Sequence, residues 1–226
     1  MESLSYVPII MTDLNTPWEK VVHLGVPVTF PPKSIISRHD AEKAPGMYLI
    51  RRGGVRLSNI SLSGADKVLF YLGRGTLFNE VPMLQYAGSG TFTSMEHTEA
   101  VFWPRKRINE EFIREYPDLI LNLLESISRK MRAFYFQLCS QQQYDGFVNV
   151  CRALYSMHLF NRAGEDITPG LTRLELASYL GLHRSSLHKA MARLRDEGII
   201  GEYSKKKLRL LDADRLKEYA ETPRRD

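Results

Sequence analysis

Thr172 to Ile200 read TRLELASYLGLHRSSLHKAMARLRDEGII. This stretch carries two helical periods interrupted by one glycine. In the first, Leu174, Ala177 and Leu180 recur at every third position and Leu176 joins their side, the spacing of a helix with one apolar face. Gly181 stands where that helix must end and turn, because glycine takes positive φ without steric cost. A second helix is expected from near His183–Arg184 to about Glu197, burying Leu187, Ala190, Met191 and Leu194. Arg184, Ser185, His188 and Lys189 are left on its outer, N-terminal face. These side chains suit phosphates and base edges, not a core. A helix, a glycine turn and a second helix that begins polar and basic form the arrangement in which the second helix enters the DNA major groove.

The rest of the composition agrees with that reading. The 226 residues can build two modest domains, and 43% hydrophobic with 25% charged residues is the balance of a globular protein. No apolar run approaches the roughly 20 residues of a membrane span, so no membrane partner is expected. The N-terminal stretch carries Glu2 ahead of a short apolar patch, which does not read as a secretory signal. Cys139 and Cys151 cannot make a disulfide framework or hold an iron–sulfur cluster alone, and they point to a reducing, cytoplasmic compartment. The formal charge is +5, and it is unevenly placed: Thr172–Leu211 holds nine Lys/Arg against four acids. Nucleic acid is the natural partner for that asymmetry.

Upstream, about residues 18–103 read as β. Val26–Phe30, Met47–Ile50, Val55–Ile60, Lys67–Leu72, Thr91–Met95 and Ala100–Trp103 are short runs separated by Gly and Pro signals. That punctuation indicates a sandwich or barrel, with a hairpin turn at Ser63–Gly64 between the third and fourth runs. After Pro104 the character changes. Ile108–Tyr116 is a short helix, and Pro117 can open a new one that meets no Gly or Pro before about Gln143. Ile120, Leu124, Ile127, Met131, Phe134 and Leu138 step alternately by four and three along it, a heptad seam. At about 1.5 Å per residue the helix spans roughly 40 Å. The seam could pack on the β domain or on a second copy of the chain, and its length favours the second copy. Tyr144–Gly146 ends this helix. Phe147–Phe160 forms another, Asn161–Gly164 a loop, and Glu202–Tyr203 with Leu208–Leu211 a hairpin or wing that carries Lys205, Lys206 and Lys207 at its tip. Asp214–Ala220 closes the chain with a last helical turn or two.

This order resembles the CRP/FNR family of bacterial transcription regulators over about Val26–Leu211. The likeness is strongest in ITPGLTRLELASYLGLHRSSLHKAMARLRDEGII and is visible again in MYLIRRGGVRLS and YLGRGTLFNEVPML. The resemblance implies an α+β fold: a cyclic-nucleotide-binding-like β-roll over 1–105, a dimerisation helix over 106–143 and a winged helix-turn-helix over 144–226. It implies a homodimer that binds a double-stranded DNA operator, with RNA polymerase as a further partner, an activator's role, and no catalytic or metal-binding residues. Arg184, Ser185 and Lys189 fall at base-reading positions, and Thr172 and Arg173 at backbone positions. His183, Ser186, His188, Lys205 and Lys206 complete the expected DNA surface. Arg184 can present a fork to guanine O6 and N7. Ser185 stands where the family commonly has glutamate, which leaves its base preference open.

The expected effector residues are Asn79, Glu80, Gly88, Ser89 and Gly90. Cyclic-nucleotide members carry a Gly–Glu pair and then an Arg–Ser pair. Here Phe78–Asn79–Glu80 keeps the glutamate, and Ala87–Gly90 supplies no cation. A buried phosphate without a positive partner is costly, so cyclic AMP is not the expected effector; Arg51, Arg52 or Arg56 could substitute, but their alternation suggests that several face solvent. Haem would need ligands such as His23, His39 or His97, each read more simply as a surface histidine. Phe102 and Trp103 are expected to pack against the long helix. The effector stays open.

Overall fold

The computed structural model describes residues 6–38, 45–60, 66–81, 90–163 and 166–222. Its chain forms two compact units: Ile10–Lys130, and Met131 onward together with the N-terminal residues to Ile9. The long helix contributes to both units.

In the first unit, β2 (Val26–Phe30), β9 (Thr98–Pro104), β4 (Gly46–Arg52) and β7 (Leu77–Phe78) pair in that order. A second sheet runs β1 (Ile10–Met11), β6 (Asp66–Gly73), β5 (Gly54–Ile60), β8 (Thr91–Ser94) and β3 (Ile35–Arg38). All six strand segments expected from sequence are present. The short strands β1, β3 and β7 were not legible, because two to four residues carry no periodicity. The β5–β6 hairpin forms, pairing Val55 with Leu72 and Asn59 with Lys67, while its turn at Ser63–Gly64 lies outside the described residues. A 3-10 helix, Thr16–Leu24, buries Trp18 and Val21. Trp18, Trp103 and Phe112 meet at ring-centroid distances of 5.6–6.0 Å. Leu119 and Leu123 of the long helix join the same core. Trp103 thus packs against that helix as expected. Phe102 does not: its ring lies 4.7 Å from Tyr48, which stacks on Phe78 at 4.8 Å because β9, β4 and β7 place these three residues side by side.

After an irregular helical stretch, Arg105–Arg107, Ile108–Phe112 and Ile113–Glu115, the long helix α1 runs Pro117–Gln143. Its apolar arc is wider than one seam. Leu119, Leu123, Ser126 and Lys130 are buried, and Ile127 packs against the tryptophan core. Leu121, Leu124, Met131, Phe134, Tyr135 and Leu138 are exposed. Of the expected seam, Leu124, Met131, Phe134 and Leu138 are exposed, while Ile120 and Ile127 are half-buried. A strict 3.5-residue repeat drifts around a straight 3.6-residue helix, so burial varies along the six positions.

The second unit holds α2 (Gly146–Phe160), α3 (Arg173–Leu180), α4 (Arg184–Asp196) and α5 (Ala213–Glu221). A four-stranded sheet joins them, in the order β10 (Arg162–Ala163), β11 (Asp166–Ile167), β13 (Leu208–Leu210) and β12 (Ile200–Tyr203). Asp145 caps α2 by accepting from the Val148 N–H at 2.9 Å. Residues 162–163, expected in a loop, pair with β11 instead. Leu154, Leu176, Leu187, Leu194, Ile199 and Leu216 are buried at the centre. Among the described residues no helix is long and apolar enough to cross a membrane.

Candidate DNA interface and effector region

Two local devices set the helix-turn-helix. Thr172 begins α3 with a capping box: its hydroxyl accepts from the Glu175 N–H at 3.3 Å, and its own N–H donates to the Glu175 carboxylate at 2.7 Å. Gly181 ends α3 at φ 68°, ψ 29°, a left-handed conformation in which a side chain would be strained. The Leu182 N–H then reaches back to the Ala177 carbonyl at 2.9 Å and closes the helix end. Leu187, Ala190, Met191 and Leu194 of α4 are buried, as the spacing predicts. In α3 the buried residues are Leu176, Ala177 and Tyr179. Leu174, expected on the inner face, is 59% exposed. An eight-residue helix makes barely two turns, too few for a three-residue step to fix which side is inward.

His183 caps α4. Its Nδ1 accepts from the Ser185 N–H at 3.3 Å and lies 2.8 Å from the Ser185 hydroxyl. The Ser185 hydroxyl, expected to face a base, is thus held by the cap. Arg184, Ser185, Ser186, His188 and Lys189 are all exposed, as are Thr172 and Arg173. A cleft between the starts of α3 and α4 is lined by Arg173, Leu174, Arg184, Ser185, Leu187 and His188.

The far end of α4 faces the protein. Arg193 donates to Glu197 at 2.8 Å and lies 4.0 Å over the Phe147 ring, and the Tyr219 hydroxyl donates to Glu197 at 2.8 Å. The Arg193 hydrogen bond and the Tyr219 hydroxyl hold the Glu197 carboxyl below the usual glutamate range. Arg193, part of the basic excess, is therefore spoken for. The wing turn is closed by Ser204, whose hydroxyl accepts from the Lys206 and Lys207 N–H groups at 3.3 and 3.0 Å. The Gly170 N–H donates to the Lys205 carbonyl at 2.9 Å, and Tyr203 donates to the Leu171 carbonyl at 3.1 Å. These bonds fix the wing beside the start of α3. Lys206 is exposed and Lys205 half-exposed. Cys151, in the core of this unit, has its thiol pushed up to about 12 by burial, which makes it unreactive.

In the β unit, Asn79 and Glu80 follow β7. Asn79 sits at φ 70°, donates to the Gly46 carbonyl at 2.8 Å, and its buried Oδ1 has no hydrogen-bond partner among the described residues. Glu80 is buried and paired with Lys130 of α1, a residue sequence reasoning missed. Lys130 also donates to the Leu77 carbonyl at 2.7 Å. The Leu77 N–H donates to the buried Asn15 side chain at 3.0 Å, and the Ser126 hydroxyl donates to that same oxygen at 3.0 Å. Both backbone polar groups of Leu77 are thus tied to α1, directly or through Asn15. The signal for Lys130 lay in its register with Leu119, Leu123 and Ser126 on the buried face. Gly88 and Ser89 lie outside the described residues, as does His39. Gly90 stands immediately before β8 at φ 91°. Arg51, Arg52 and Arg56 pair with Glu19, Glu99 and Asp66. His23 and His97 are exposed, His97 lying 3.9 Å from Glu99.

A double-sheet regulatory domain, a long helix and a winged helix-turn-helix with a basic N-terminal face define a DNA-binding transcription regulator with an effector-binding N-terminal domain. Residues 149–219 match the Crp-like helix-turn-helix domain and residues 27–115 the cyclic nucleotide-binding domain. A probable transcriptional regulator flp of Lacticaseibacillus casei is 26% identical over 182 residues, 79% of this chain and 81% of that protein. The cyclic AMP receptor protein of Thermus thermophilus is 26% identical over 163 residues, 72% of this chain and 74% of that one. In fold, the structure of a CooA mutant from Carboxydothermus hydrogenoformans matches with a TM-score of 0.80, at 17% identity, covering 93% of this chain and all of that one. The chain belongs to the CRP/FNR family, whose members bind DNA and act as dimers.

Proposed function

We propose that this chain acts in the cytoplasm as a homodimer on a two-fold symmetric operator, regulating transcription without catalytic activity of its own. The observation that carries this reading is the start of α4. Five polar residues, Arg184, Ser185, Ser186, His188 and Lys189, are exposed on a helix whose opposite face is fully buried. Arg184 and Lys189 read bases, and Thr172, Arg173, Lys205 and Lys206 hold phosphates. The exposed face of α1, from Leu121 to Leu138, pairs with a second copy, since an exposed apolar stripe of this length needs cover. RNA polymerase is the downstream partner.

Asn79 and Glu80, with Gly88 to Gly90, mark the effector region. An effector binding there competes for the Glu80–Lys130 pair, and its energy of binding shifts the equilibrium between two states of the dimer. The residues do not favour a cyclic nucleotide: Val81–Gly90 contains no cation, and Arg51, Arg52 and Arg56 have carboxylate partners. The test is selection of duplexes from random-sequence DNA, with sedimentation of the bound and free chain. The expected result is a palindrome with half-site centres about 34 Å apart, bound by two chains. A monomer, or no enrichment of any sequence, overturns the proposal.

A further inference from the structure

We infer that Leu174 is a specificity-determining residue whose side chain packs against the 5-methyl group of a thymine in each operator half-site. The inference deepens the DNA-reading proposal and rests on it. Leu174 is 59% exposed at the second position of α3, while Leu176, Ala177 and Tyr179 supply that helix's share of the core. Folding therefore does not explain a large apolar side chain here. Its surroundings do: it lines one cleft together with the buried Leu187 and with the polar Arg173, Arg184, Ser185 and His188.

A cleft that combines two leucines with cations and hydrogen-bonding groups fits a surface that is both anionic and, at one point, apolar. The major groove at a thymine has that chemistry, with phosphates along the rim and a methyl beside the O4 acceptor. Leucine can neither donate nor accept a hydrogen bond. What it can distinguish is the presence of the methyl, which separates thymine from uracil and cytosine.

The test uses the full chain and the operator it selects from random DNA. Each thymine is replaced in turn by deoxyuridine, which keeps Watson–Crick pairing and removes only the methyl. At fixed salt, one replacement at the contacted thymine of a single half-site is expected to weaken the wild type about fourfold, the worth of one buried methyl-sized group. The same replacement should leave Leu174→Ala unchanged. Leu174→Gln serves as a second variant, polar at an exposed position, and an unchanged Tm shows that the fold is intact. Deoxyuridine effects that are identical in wild type and variants overturn the inference, as does a uniform loss in Leu174→Ala across every duplex, which marks a sugar or phosphate contact. An operator without thymine in its half-sites overturns it as well. In each of these cases DNA reading stands. If no sequence is selected at all, the DNA-reading proposal itself falls and takes this inference with it.

Discussion

The β unit and the winged helix-turn-helix treat their polar residues in opposite ways. Glu80 and Lys130 are each about 10% exposed in their side chains and use one another, with the Leu77 carbonyl as a further acceptor. Arg184, His188 and Lys189 stand exposed, and the neighbouring caps at Thr172 and His183 order the backbone without covering them. A polar group closed within the protein is a structural element that a ligand must displace. A polar group held in place and left in water is ready for a partner that brings the opposite charge. The same residue types therefore mean different things in the two regions, and burial separates them.

The contrast can be broken by substitution. The largest effect is expected at Lys130. Lys130→Met leaves the Glu80 carboxylate buried without its cation and should cost about 3–5 kcal/mol in urea unfolding, largely recovered in the double variant with Glu80→Leu. A loss under 1 kcal/mol would place Glu80 in water and undo the contrast. Arg184→Ala should do the reverse. Its stability should stay within about 0.5 kcal/mol of wild type, while discrimination at one operator base pair falls by about 1–3 kcal/mol. A uniform loss on all DNA would reassign Arg184 to phosphate.

Thr172→Ala sharpens the comparison at the junction between fold and interface. Loss of the capping box should cost about 1 kcal/mol of stability. Unchanged unfolding with weakened binding would make the residue a phosphate contact alone. Lys206→Ala should lower affinity evenly across sequences and reduce the salt slope by about 0.9 for one lost phosphate contact. The smallest effect concerns pH. The Glu197 carboxyl is held low by Arg193 and Tyr219, so its stabilisation is present above the ordinary glutamate value of about 4.3 and is lost as pH falls through the lower folded value. Glu197→Gln should flatten that acid limb of the unfolding curve, and an unaltered limb would show that the contact contributes nothing.

How far sequence reasoning reached depends on the range of the interaction. The helix-turn-helix was legible because its devices are local: Gly181 supplies the turn, and Leu187 to Leu194 repeat over thirteen helical residues. Leu174 was misplaced because α3 is too short for its period to choose a side. On α1 the apolar residues were found, but their period did not show which of them the β unit buries, because that depends on the distant Trp18 and Trp103. The effector region was least legible. Lys130 meets Glu80 fifty positions away in sequence, and Asn15 reaches Ser126 across 111.

By itself the sequence determined the order of elements, the turn of the helix-turn-helix, the basic excess around it and the absence of a cation in Val81–Gly90. These follow from backbone preference, periodicity and charge, each of which acts over a few residues. Only the tertiary structure decided which cations are spoken for, which face of α1 is open and which leucine of α3 looks outward. Those outcomes depend on burial, and burial is a property of which distant segments pack together.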